Sequence, residues 1–283
     1  MVHTPHSYIH GGAWRDPLQT SDDIHSTLSH LSPSSIPSIA AVASLNYRLS
    51  PYPSHPTHPT TLDNSDPDRN ATHPDHLHDI YSALSWLHTN YSVGKTDGFR
   101  YILSGHSCGA TLALQYSLGL SPPASASTTE IAHPPSALLL TAGIYSLPTL
   151  LRTHEPPQCS EDIARIYQDI VTGAFGTNEE EWAAASPADV LARGKVSLPE
   201  GLRRMVLAWS EEDELVEREQ REEMVAVLQS CGWDREGGKK VVECVDLKGG
   251  HDFVWEDGKE MAGLFGKVVR GIVEDTSSCL EAS

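Results

Sequence analysis

The sequence predicts an α/β fold: a mostly parallel central sheet with helices on both faces. Three observations point there. Short apolar runs alternate with helically spaced segments along the 283 residues. Two glycine-rich turns, His10-Gly-Gly12 and Gly105-His-Ser-Cys-Gly109, each follow an apolar run. The length suits one large α/β domain better than two small ones.

Taken in order, Ser7–His10 reads as a strand running into His10-Gly-Gly12, and Ala40–Leu45 as a second strand ending at Asn46-Tyr-Arg48. Residues 51–74 are rich in Pro, His, Thr and Asp without periodicity, and read as a long loop. Asp75–Asn90 sets Leu77, Ile80, Leu84 and Leu87 at helical spacing. Tyr101–Leu103 reads as a strand and Ser107–Leu120 as a helix, followed by a Pro/Ala/Ser-rich surface loop over 121–135. Ala137–Thr141 and Met205–Trp209 are expected strands, and Glu217–Ser230 an amphipathic helix. Val241–Leu247 is the last expected strand and Lys259–Val273 the last helix. Such alternation implies parallel strands covered on both faces. With no internal repeat and no linker, 1–283 is expected to form a single domain. Residues 145–200 depart from the alternation and suit a helical cap over the carboxyl edge of the sheet, where such folds bind ligands.

Composition narrows the function. The net charge of −18 repels phosphate backbones, which argues against nucleic acid as a partner. No apolar run is long enough to span a membrane, and Met1–Ser7 lacks the basic-then-apolar pattern of a secretory signal. Five scattered cysteines without C-x-x-C spacing read as free thiols, so a cytoplasmic setting is expected.

The chemistry lies at the two glycine turns. In Gly105-His-Ser-Cys-Gly109 the central Ser107 falls between a strand and a helix. A nucleophile on so sharp a turn needs glycine two residues away on either side, where a Cβ would clash. The helix N-terminus then favours negative charge beside Ser107. This is the nucleophile elbow of the α/β-hydrolase fold. In His10-Gly-Gly-Ala-Trp14, glycines let backbone N–H groups approach a developing oxyanion. Donors near Gly11, Gly12 and Ala13, with the N–H of Cys108, are the expected oxyanion hole.

A serine hydroxyl needs a base and an acid that orients the base. In this fold the chain order is Ser, acid, His. Of fifteen histidines, His133, His154 and His251 follow Ser107. His133 lies in the Pro-rich loop and His154 precedes Pro156-Pro157, whereas His251 follows the last strand in Lys248-Gly-Gly-His251. His251 is therefore the expected base. The acid should follow the strand Met205–Trp209, which offers Glu211, Glu212, Asp213 and Glu214. Asp213, heading Asp-Glu-Leu-Val216 at the turn into the next helix, is the expected acid, with Glu212 and Glu211 as fallbacks. The cluster His73, Asp75, His76, His78 and Asp79 is read as a polar helix start, so no metal is expected.

These motifs resemble the fungal kynurenine formamidases, or arylformamidases. The resemblance rests on His10-Gly-Gly-Ala-Trp-Arg-Asp-Pro17, Tyr47-Arg-Leu-Ser-Pro51 and Gly105-His-Ser-Cys-Gly-Ala-Thr111. It continues through Gly143-Ile-Tyr-Ser-Leu147, Glu212-Asp-Glu-Leu215 and the loop at His251. It implies hydrolysis of N-formyl-L-kynurenine to L-kynurenine and formate, in tryptophan catabolism toward NAD, with no metal or organic cofactor. Ser107, Asp213 and His251 match the family triad. Trp14 and Tyr145 are expected to contact the substrate ring. A homodimer is left open. Family members carry some twenty or more residues before the HGG-x-W strand, against nine here, which implies a shortened start or absent N-terminal edge strands. Two rival readings are a carboxylesterase of the hormone-sensitive-lipase type and a ligand-binding receptor on a hydrolase fold.

Overall fold

A computed structural model of the chain describes residues 4–31, 39–61, 65–94, 100–124, 133–234 and 240–281, with side chains described no further than residue 272. Among these, six strands form one sheet: β1 (Thr4–Ile9), β2 (Ile39–Leu45), β3 (Ile102–His106), β4 (Ala137–Thr141), β5 (Arg204–Ser210) and β6 (Val241–Leu247). Every pairing is parallel, in the order β2-β1-β3-β4-β5-β6.

Parallel neighbours require crossovers, and helices supply them. In chain order these are α1 (His25–His30), α2 (Asp75–Tyr91), α3 (Cys108–Ser117), α4 (Leu147–Thr153) and α5 (Glu161–Phe175). They are followed by α6 (Glu179–Ala185), α7 (Pro187–Ala192), α8 (Arg218–Ser230), α9 (Phe253–Glu256) and α10 (Lys259–Glu281). Both sheet faces are covered, which is why the central strands read as continuous apolar runs. Leu138, Leu140, Met205 and Leu207 join a core with Leu77 and Ile80 of α2, Leu112 of α3 and Met224 of α8. Their alternates Leu139, Val206 and Ala208 join a second core with Met261, Phe265, Val268 and Val269 of α10. The two-residue period of the strands thus divides one sheet between two cores.

β1 also carries His6 into the second layer. His6 is 1% exposed and stacks on Phe265 at a centroid distance of 4.1 Å, with neither ring nitrogen hydrogen-bonded. Burial lowers its pKa to about 3.

The expected elements all form, β4 and β6 with the expected bounds and the others with shifted ends. The helix after the elbow starts at Cys108 because Ser107 has φ 53° and ψ −123°, which is not helical. The last helix runs on to Glu281. Helices α1 and α9, of six and four residues, have no sequence-level counterpart because they are too short to show a period. Of the expected surface loop over 121–135, residues 125–132 lie outside the described residues. The stretch 145–200 is helical, holding α4 to α7. No helix among the described residues is long and apolar enough to cross a membrane.

Candidate active site

The chain leaves β1 for β2 on one side and then enters β3 on the other. A crevice opens where successive connections diverge, at the carboxyl ends of the strands. Here Ile9 lies in register with Gly105, so the loop after β1 and the elbow after β3 leave the sheet side by side.

At the elbow, the Ser107 N–H donates to the Thr141 carbonyl at 2.9 Å, which ties the strained residue to β4. A positive φ at a residue with a Cβ persists only where neighbours hold it. The flanking glycines are sterically required. A Cβ on Gly105 would lie 2.3 Å from the Gly109 carbonyl oxygen, and one on Gly109 would lie 2.3 Å from that of Ile9. β1, β3 and α3 therefore meet backbone to backbone beneath Ser107.

The loop after β1 turns left-handed through Gly12, Ala13 and Trp14, at φ 91°, 50° and 59°. The Arg15 and Asp16 N–H groups close it onto the Gly12 carbonyl at 2.9 and 2.8 Å. The Tyr47 hydroxyl donates to the Gly11 carbonyl at 2.8 Å, and its ring stacks on His10 at 4.5 Å. The Ser50 N–H donates to the Trp14 carbonyl at 2.8 Å. The segment Tyr47–Ser50 is thus the brace of this loop. Beneath it, the Trp14 N–H donates to Cys108 Sγ at 3.2 Å. Burial pushes the Cys108 thiol up to about 11, which keeps it neutral and unreactive.

Asp213 and His251 come together although 38 residues separate them. The His251 Nδ1 lies 2.9 Å from each oxygen of Asp213. Asp213 Oδ1 also accepts the N–H groups of Leu215 and Val216, at 3.0 and 2.9 Å, which fixes the carboxylate within its own turn. The His251 N–H donates to Glu214 Oε2 at 3.0 Å. Ser210 Oγ donates to the Gly249 carbonyl at 2.6 Å, joining the loops that follow β5 and β6. With Nδ1 donating to a carboxylate, the other ring nitrogen is left as an acceptor.

Ser107 and His251 open on one cleft of ≈ 620 Å³, which Gly12 and Ala13 also line. Its walls are Ile144, Leu150, Ile163, Ile166, Tyr167, Ile170 and Val216, mostly from α4 and α5. Polar groups collect at Arg15, Asp16, Gln19, Tyr52, Gln158, Glu214 and Asp252.

Two expectations are corrected. Trp14 does not wall the cleft: it is fully buried, with Phe175 edge-on at 5.0 Å. The left-handed turn at Ala13 and Trp14 carries the indole under the loop. Tyr145 is 2% exposed and also lies off the cleft. Its ring packs over Gly143, where a Cβ would meet it at 2.5 Å, and it is Ile144 that reaches the cleft wall.

Sequence reasoning missed the pair His106 and Asp252. His106 is fully buried, with Nε2 3.3 Å from Asp252 Oδ1 and its ring 4.7 Å from that of His251. Burial lowers the His106 pKa. The signal was adjacency, since each is next in sequence to Ser107 or His251. Potential ligand atoms of His106, His251 and Asp252 lie within 4.8 Å of one another. They are already engaged: His106 with Asp252, and His251 with Asp213. The cluster after residue 72 does not converge. His76 Nε2 meets Ser50 Oγ, His78 Nε2 meets the Ser121 carbonyl, and Asp79 pairs with Arg48.

Comparison with known proteins places these loops in context. No protein-family model matches the chain. The kynurenine formamidase-like hydrolase fscH of Fusarium equiseti is 36% identical over 267 residues, covering 93% of this chain and 81% of that protein. Kynurenine formamidase avaC of Aspergillus versicolor is 34% identical over 260 residues, covering 88% and 82%. The kynurenine formamidase of Saccharomyces cerevisiae is 27% identical over 268 residues, covering 92% and 87%. Among solved structures, an esterase from Rhizomucor miehei matches with a TM-score of 0.64 at 16% identity, over 96% of this chain and 75% of that one. Esterase B from Lactobacillus rhamnosis matches at 0.63 and 14% identity, over 99% and 80%. These structures show the α/β-hydrolase fold.

Proposed function

The chain belongs to the kynurenine formamidase family, and on that premise we propose that it hydrolyses N-formyl-L-kynurenine to L-kynurenine and formate, in tryptophan catabolism toward NAD. The observation that carries the chemistry is Asp213 bridged to His251 at 2.9 Å, with His251 and Ser107 opening on one cleft.

In the proposed mechanism Ser107 Oγ attacks the formyl carbon while His251 takes its proton. Asp213 fixes the His251 tautomer and stabilises the imidazolium as it forms. The N–H groups of Gly12, Ala13 and Cys108 hold the oxyanion. His251 then protonates the leaving aryl amine, whose developing charge spreads into the ring. Water, activated by His251, releases formate and restores Ser107. The cycle draws on Ser107, His251, Asp213 and the backbone donors, with water as the second reactant. The apolar walls of Ile144, Leu150 and Ile166 suit the aryl ring, in place of Trp14 and Tyr145. We read α4 to α7 as a cap within a single domain. A cytoplasmic setting is supported by the free thiols Cys108, Cys159, Cys231 and Cys244.

The test is kcat/KM for N-formyl-L-kynurenine against a phenyl ester series from formyl to butyryl. The proposal expects formylkynurenine to be the better substrate and ester rates to fall as the acyl group grows. Preference for butyryl esters with formylkynurenine uncleaved would make the protein an esterase.

A further inference from the structure

Arg15 follows the loop that faces Ser107 and lines the same cleft. It is 7% exposed, with its guanidinium carbon 4.0 Å from the centre of the Tyr52 ring. Among the described residues no carboxylate lies within 4.0 Å of the guanidinium; its acidic neighbours Asp16 and Asp169 act only through space. Burial works to lower its pKa, opposed by Tyr52, Asp169 and Asp16. Arginine nevertheless stays charged at any ordinary pH. A buried cation lacking a bonded counter-ion is costly to keep, and breaking such pairs destabilises proteins strongly. Arg48, by contrast, is held by Asp79. Arg15 stands at a wall open to substrate.

Resting on the formamidase reading, we infer that Arg15 is the specificity-determining residue that binds the α-carboxylate of the substrate. The aryl ring of N-formylkynurenine bears a chain ending in an α-ammonium and an α-carboxylate. A planar guanidinium matches a carboxylate through two parallel hydrogen bonds. Stacking on Tyr52 holds the plane in place before substrate arrives, which limits the ordering cost of binding. Asp16, the next residue, also lines the cleft and supplies negative charge for the neighbouring ammonium. With a net charge of −18, the protein repels anions overall, so a carboxylate substrate needs a local cation of this kind. The enzyme is thereby selective for formyl anilides that carry a free amino-acid end.

The experiment compares N-formyl-L-kynurenine with its methyl ester, which keeps the ring, the formamide and the ammonium but removes the anion. Wild type should favour the acid by about thirtyfold or more in kcat/KM, the usual scale for a buried charge pair losing one partner. The preference should appear mainly in KM. In Arg15→Gln the ratio of acid to ester should fall to near one, and Arg15→Lys should retain part of it. Equal turnover of acid and ester by wild type overturns the assignment while leaving the formamidase reading intact, and needs no variant to fold. An undiminished ratio in Arg15→Gln overturns it as well. Cleavage of neither, with phenyl esters hydrolysed, overturns both readings.

Discussion

His6→Phe should change how the protein responds to acid. The buried imidazole titrates near 3 in the folded chain and near its ordinary 6.5 when unfolded. Between those values the unfolded chain binds a proton that the folded chain does not. Stability therefore falls as pH falls, by about 1.4 kcal/mol per pH unit for each such group. Burial also lowers His10 and His76 to about 4, so they act in the same direction. Asp23 acts in the other direction. Burial raises it to about 6, so the folded chain takes up that proton first and gains stability as pH drops. From pH 6.5 to 4.5 the three histidines cost about 7 kcal/mol, and Asp23 offsets about 2. A domain at the low end of the ordinary range, roughly 5–15 kcal/mol, has little left at the end of that interval. Replacing His6 removes about a third of the histidine cost, and should move the acid midpoint down by about one pH unit. At pH 7 the variant should also gain about 1–3 kcal/mol, because two unpartnered buried nitrogens are gone. Urea unfolding followed by tryptophan fluorescence at pH 7, 6 and 5 gives both numbers. Any strain from the larger ring is the same at every pH and cancels from the slope. Parallel stability-versus-pH curves for variant and wild type would refute the reasoning.

Ser107→Ala should fold and lose activity by about a millionfold, and adding Asp213→Asn should cost little more, since the groups act as one unit. A double variant far below Ser107→Ala in single-turnover assays would separate them. Gly109→Ala should lower folded yield and thermal stability sharply, because its Cβ would lie 2.3 Å from the Ile9 carbonyl oxygen. An unchanged melting temperature would show that β1 and α3 can part without cost. Trp14→Ala should destabilise by about 3–5 kcal/mol as a core truncation. It should lower kcat/KM for formylkynurenine and for small aryl esters alike, and a loss confined to formylkynurenine would return the indole to the substrate.

Much of this was legible in the sequence, for identifiable reasons. Strands buried on both faces announce themselves as apolar runs, so Ala137–Thr141 forms with the expected bounds; Val241–Leu247 does so too, although it is a half-buried edge strand. The elbow was legible because steric demand leaves glycine at positions 105 and 109. The pairing of Asp213 with His251 followed from chain order and from the strands that end nearby. Side-chain direction was not legible. Whether Trp14 points into the cleft or beneath its floor depends on two positive φ values in a row, and residue identity does not encode these. His106 escaped notice because the elbow pattern leaves that position free. Arg15 escaped because a cation in a polar motif looks solvated until its surroundings are known.

The order of the groups along the chain bears on synthesis. Ser107 leaves the ribosome more than a hundred residues before Asp213, and His251 emerges later still. The elbow takes its anchoring hydrogen bond from Thr141 of β4, and His251 is held in place only once β6 has docked beside β5. A growing chain therefore carries Ser107 before its proposed base, His251, is in place. Parallel pairing between distant segments is slow to complete. On the proposed mechanism, hydrolysis switches on as the last strand joins the sheet, which would make turnover a direct readout of final assembly.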